Sequence, residues 1–195
     1  MIRRKLGFGI VTACIVIGLT GCDILGLGGS APNTYSAGDT GPAGGIIVFV
    51  DTSNDYDFDY LEAAPAALDD EYPWGAQIST SGLDDGIGSG QANTTIIIET
   101  QDDDKAGLSS YAAKAADNHS TGGFSDWFLP SYQELQLLYT YRSSLNLGGS
   151  SDYYWASSQF SQTLGDAVRF DKFNGEVNPQ KTVTAPVWPM RAFSE

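Results

Sequence analysis

Residues 122–139 read Gly122-Gly-Phe-Ser-Asp-Trp-Phe-Leu-Pro-Ser-Tyr-Gln-Glu-Leu-Gln-Leu-Leu-Tyr139. A doubled glycine breaks the chain, three large apolar residues follow, and then come the marks of a helix start. Ser131 stands three residues before Glu134, the spacing of a capping box. In that motif the hydroxyl accepts a backbone N–H of the first turn, and the carboxylate reaches back to the N-cap amide. Pro130 holds the entering chain extended and stops the helix from running backwards. Beyond it Leu135, Leu138, Tyr139 and Arg142 keep helical spacing, and Leu137 widens the apolar stripe. Trp127, Phe128 and Leu129 carry more apolar surface than an exposed loop tolerates. The stretch predicts the centre of the core, with a helix packed on it.

Working outward, Ala106, Leu108, Tyr111, Ala112, Ala115 and Ala116 form a second helical stripe that ends near His119. Asp102, Asp103 and Asp104 precede it, where carboxylates suit the positive end of a helix dipole. Its small-residue face is expected to pack on the Leu135 helix. Residues 96–100 fit either a short strand or the lead into a helix, and residues 83–95 read as loop. Ile46-Ile-Val-Phe-Val50 is a β-branched run after the glycine-dense residues 35–45, and predicts a central strand. Those glycines precede a strand instead of joining a strand to a helix, so they read as a tight turn and not as a phosphate cradle. Residues 51–60 alternate Asp with aromatics, as a strand or hairpin edge does. An EF-hand fails there, because Tyr60 stands where Gly is needed and Ala66 where the bidentate Glu belongs. Past the central helix, strands are expected at residues 153–158, 167–170 and 187–193, with a hairpin turn at Asn174-Gly175. Two helices in the middle and antiparallel strands at the end make the fold class α+β.

The first 21 residues read as an address. Arg3, Arg4 and Lys5 precede an apolar run from Leu6 to Leu19, too short for a comfortable membrane span. Leu19-Thr20-Gly21-Cys22 then gives the pattern of a bacterial lipoprotein signal, with Cys22 the lipidated first residue of the mature chain. Residues 22–34 are a Gly-rich tether, and residues 35–195 a single domain of a size that supports one core. The partner this implies is a bacterial membrane, held through the N-terminal lipid, and the location is the cell envelope. Cys14 leaves with the signal and Cys22 carries lipid, so neither a disulfide nor a cysteine nucleophile remains. His119 is the one histidine, too few for a zinc site or a histidine-based triad. Loss of the three leading basic residues takes the formal charge from −14 to −17. A surface this acidic repels nucleic acid, anionic lipid and sulfated glycans.

Several segments together resemble the Lcl C-terminal domain family of bacterial cell-surface proteins. They are Gly38-Asp-Thr-Gly-Pro-Ala-Gly-Gly-Ile46, Leu61-Glu-Ala-Ala-Pro65, Trp74-Gly75, Gly88-x-Gly-x-x-Asn-Thr94, Asp126-Trp-x-Leu-Pro-Ser-x-x-Glu-Leu135, Tyr154-Trp-Ala-Ser-Ser158 and Met190-Arg-Ala-Phe193. The resemblance spans nearly the whole mature domain. It implies a C-type-lectin-like fold, related to that of the formylglycine-generating enzymes, with the first and last strands paired. The glycosaminoglycan binding of the family's named member needs basic surface and is not carried over, and the copper chemistry of the enzymes needs thiolates. The calcium cage of the lectins has its nearest counterpart in Glu176-Val-Asn-Pro-Gln180, whose order differs and which reads as an ordinary turn.

In lectin-like folds binding falls on loops held by a rigid scaffold. The corresponding residues here are Asp152, Ser157, Ser158, Asp166, Asn178 and Gln180 as ligand contacts, with Asp171 and Glu176 as candidate metal ligands. Their carboxylate and amide oxygens are the hard donors calcium takes, which makes Ca²⁺ the candidate cofactor, though none is required by the sequence. The expected function is a lipid-anchored envelope binding or adhesion module, without catalytic activity, that recognises a glycan or a protein. The rivals are a carboxylate-dependent envelope hydrolase and a structural lipoprotein with no small ligand.

Overall fold

A computed structural model describes residues 34–103, 107–145, 153–171 and 175–195. In order, the elements are β1 (Ile46–Val50), β2 (Tyr60–Ala63), β3 (Glu71–Pro73), α1 (Gly90–Asp103), α2 (Ala112–Asp117) and α3 (Tyr132–Thr140). They continue with β4 (Tyr153–Gln159), β5 (Gly165–Arg169), β6 (Glu176–Val177), β7 (Thr184–Pro186) and β8 (Met190–Phe193). Among the described residues the strands form three small antiparallel sheets, ordered β1-β2-β8, β3-β7 and β4-β5-β6. The architecture is α+β. The first and last strands share one sheet but are not neighbours in it: each is hydrogen-bonded to β2, which lies between them. Asn174 falls outside the described residues; β5 and β6 are antiparallel as a hairpin requires, but Val168 stands opposite Glu176 and Ala167 opposite Val177, whereas a two-residue turn at Asn174-Gly175 would set residue 173 opposite Glu176, so the connection is longer than that turn.

The capping box is present as read: the Ser131 hydroxyl accepts from Glu134 N–H, and the Glu134 carboxylate accepts from Ser131 N–H at 2.8 Å. Trp127, Phe128 and Leu129 are buried. They are shared between two apolar clusters. Trp127 and Phe128 join Leu61, Leu135, Leu138, Tyr154, Phe170 and Met190, while Leu129 joins Trp74, Ile97, Tyr111, Trp155 and Val187. Strand alternation explains the partition. On β4, Tyr154 and Ala156 face the first cluster and Trp155 the second; on β5, Val168 and Ala167 divide the same way. The β4–β5 pair is therefore a septum covered on both faces, which is why its residues read as a continuous buried run.

The helical region departs from expectation at three points. Residues 90–95, read as loop, are the first turns of α1. The inward face of that helix is Asn93, Thr94, Ile97 and Gln101, all buried. It keeps helical spacing in polar residues, which a search for apolar periodicity passes over. Asp102 and Asp103 close α1 instead of opening the next helix. Asp102 sits at the unfavourable end of the α1 dipole and is offset by Lys114 Nζ at 2.9 Å and the Tyr111 hydroxyl at 2.9 Å. Finally, α2 begins only after Tyr111, and its alanines pack in the cluster of Ile97 on α1, not on α3. The helices of the described residues thus number three, not two. Residues 51–59 form no strand: the Asp51 carboxylate accepts backbone N–H groups of Ser53, Asn54 and Tyr56 and coils them into a loop.

Two buried carboxylates tie distant segments together. Glu62, on β2, accepts Ala43 N–H and Gly45 N–H, each at 3.0 Å, and pairs with Arg191 of β8 at 3.3 Å. Arg191 also grips Asp126 with two bonds of 2.9 and 3.0 Å. The turn at residues 41–45 wraps this carboxylate so closely that a Cβ on Gly45 would strike the Ala63 carbonyl. Glu134 plays the same part further on, taking N–H groups from Gly88, Gly90 and Ser131. Burial pushes its carboxyl up, and those three donors hold it down.

Candidate functional site

Each candidate residue has a definite place in this frame. Ser157 and Ser158 are fully buried. The Ser157 hydroxyl accepts Asn93 Nδ2 at 3.1 Å and its N–H donates to the Pro130 carbonyl, while the Ser158 hydroxyl accepts Tyr132 N–H at 3.1 Å. These serines lock β4 to the entry of α3 and offer nothing to solvent. Gln180 is exposed and enters the fold through its backbone, bridged to Leu164. Cys22 and Asp152 lie outside the described residues.

The two candidate metal ligands stand apart. Glu176 lies opposite Val168 in the β5–β6 pair, whereas Asp171 is three residues further along. β5 ends at Arg169, so Asp171 lies in the turn that follows it. Asp171 is also committed to Arg169, with bonds of 3.1 and 2.9 Å. Among the described residues no three His, Cys, Asp or Glu side chains are grouped so as to hold a metal ion.

What the fold does bring together is Asp166, Asn178 and Glu176, gathered around Tyr132. Asn178 Nδ2 donates to Asp166 Oδ1 at 2.7 Å, and the Tyr132 hydroxyl donates to Glu176 Oε2 at 3.5 Å. Burial pushes the Asp166 carboxyl up to about 6; the Asn178 bond and Lys181 pull it down, and the charges of Asp85 and Glu176 push it further up. The Tyr132 phenol is pushed up to about 12, by burial first and then by Glu176, Asp166 and Asp85. This knot of negative charge sits at the start of α3.

From there an open cleft of about 720 Å³ runs along the outer face of α3. Tyr132, Gln136 and Thr140 stand at i, i+4 and i+8 along it, with Leu137, Tyr139 and Arg142 beside them and Val168 on the facing strand. Gln136 Nε2 donates to the Tyr132 hydroxyl at 2.7 Å. At the far end the Arg142 guanidinium lies 4.0 Å from the centre of the Tyr139 ring, and its Nη1 donates to the Tyr139 carbonyl. The volume is that of a small-ligand site, and its lining mixes apolar walls with a few directed polar groups. Leu137 and Tyr139 keep the place in the core stripe that their spacing gives, half-buried against the first cluster, and together with Arg142 they also line the cleft. The signal that marks it is the Tyr-x-x-x-Gln-x-x-x-Thr stripe opposite the buried Glu134, Leu135 and Leu138.

No protein-family model matches the chain. A search of curated proteins finds no match either.

Proposed function

We propose that the protein is a lipid-anchored cell-envelope binding module of C-type-lectin-like fold, which holds a glycan or a segment of another protein in the α3 cleft. The observation that carries this reading is the cleft itself, lined by tyrosines, glutamine amides and an arginine along a helix that the capping box and the core beneath it hold in place. The lipoprotein-type signal ending at Cys22 supports the anchor, and the segments shared with the Lcl C-terminal domain support the lectin-like fold. Arrays of glycans and of envelope proteins, probed with the full-length protein in detergent with and without calcium, test it. Wild-type protein is expected to select a ligand that Tyr132→Ala and Gln136→Ala lose while their melting temperatures hold. Binding that survives both substitutions would place the site elsewhere. A calcium bridge requires the selected ligand to depend on the ion.

One observation favours a second reading, a carboxylate-dependent hydrolase. Asp166, raised to about 6 beside the charge of Glu176, has the environment of a general acid next to a base. Turnover of an array-selected glycan, lost in Asp166→Asn, would replace the binding module by an enzyme.

A further inference from the structure

The described basic residues are few, and nearly all are accounted for. Lys114 is paired with Asp102, Arg169 with Asp171, and Arg191 with Glu62 and Asp126. Lys181 is fully buried against Ile78, Gln159 and the Trp74 ring. Arg142 alone among the described cations is both solvent-accessible and without a carboxylate partner. In a chain with 24 acidic residues against 10 basic ones, a guanidinium at the end of a cleft with no carboxylate partner among the described residues is suited to bind an anion. It is also pre-set: stacked on Tyr139 and anchored by one N–H, it keeps its other donors for a planar, two-oxygen partner.

The opposite end carries the opposite sign: the Tyr132 hydroxyl donates to Glu176 Oε2 at 3.5 Å, and Asp166 and Asp85 add their charge there. At each end the side chains overrule the helix beneath them. The N-terminus of α3 contributes roughly half a positive charge and its C-terminus roughly half a negative one, against three carboxylates and a full cation. The cleft is thus polarised along its length. Tyr132 to Arg142 covers about 15 Å at the rise of a helix, which is about the length of four extended residues.

We propose that the α3 cleft binds the last four or so residues of an extended peptide, its terminal carboxylate held by the Arg142 guanidinium and an amine near its other end held by the acidic group at Tyr132. This rests on the cleft being the ligand site and narrows the ligand to one class. The apolar walls of Leu137 and Val168 suit peptide side chains, and Gln133 and Gln136 suit backbone amides. The Arg142 guanidinium already covers one face of the Tyr139 ring. A bidentate arginine–carboxylate bond supplies direction.

The test uses two pools of random tetrapeptides with free N-termini, one of free acids and one of C-terminal amides, dialysed against the full-length protein in detergent and read by mass spectrometry. Free acids are expected to be retained at least tenfold over the matching amides. Arg142→Gln is expected to erase that preference, Arg142→Lys to keep a reduced part of it, and 0.5 M salt to weaken it. Equal retention of acids and amides, or an undiminished preference in Arg142→Gln, overturns the proposal. If no peptide is retained but an array ligand is still lost in Gln136→Ala, the peptide assignment falls and the cleft stands. If neither assay yields a cleft-dependent ligand, both fall.

Discussion

Trp127 shows what one residue does here. It is buried between the entry to α3 and the β1-β2-β8 sheet, edge-on to His119, with its indole N–H on the Phe124 carbonyl. Trp127→Ala should cost on the order of 3–5 kcal/mol, read as a lower urea midpoint with an unchanged slope. A second expectation concerns acid and base. Asp166 is pushed up to about 6 from an ordinary 3.8, so the folded state holds that proton more tightly than the unfolded chain. Its contribution is full below about pH 4 and is lost as pH rises past 6. Lys181 is pushed down to about 8 from 10.5 by burial, against the charge of Asp166. The folded state holds that proton more weakly, so stability is regained as pH rises from 8 towards 10.5. Urea midpoints across pH 4–10.5 should therefore fall through the acid window and rise through the alkaline one, and Lys181→Met should flatten the rise. Neither shift is legible in the sequence. Lys181 looks like any surface lysine until the fold closes Trp74 over it.

At the scale of elements, the sequence announced best what is specified locally. The α3 start is written in Pro130, Ser131 and Glu134, and the structure has it. What escaped is α1, because Asn93, Thr94 and Gln101 face inward and make bonds that exist only once β4, Leu129 and residues 76–84 are in place. The cleft escaped for a related reason: residues of one helix read alike whether they face a core or a groove. The two capping residues also differ in reach. Ser131→Ala removes the cap and the bond its hydroxyl donates to the Gly86 carbonyl, and should cost about 1–2 kcal/mol. Glu134→Ala strands the N–H groups of Gly88, Gly90 and Ser131 together and should cost several times that, since each buried orphan costs about 1–3 kcal/mol. Thermal melts of the two variants, expected to rank in that order, check whether Glu134 ties α1 to α3 or merely caps a helix.

The molecule as a whole is acidic, and its expected attachment to a membrane turns on one residue. In cells, Cys22→Ser should abolish fatty-acid labelling and leave the precursor unprocessed; normal processing of that variant would sink the anchor. The segments quoted as family-like turn out to be joints: Glu62, Asp126 and Arg191 meet in one network, and Glu134, Gly88 and Gly90 in another. Local signals made the α+β class legible and left the cleft silent, since its lining lies mostly outside those segments. The sheet that joins the two ends of the domain has a further consequence. Tyr35 lies 5.9 Å from Phe193, ring to ring, and 5.5 Å from Tyr60. The domain begins and finishes at one doorway. It can be spliced into the loop of a host protein as a cassette without prising that loop apart.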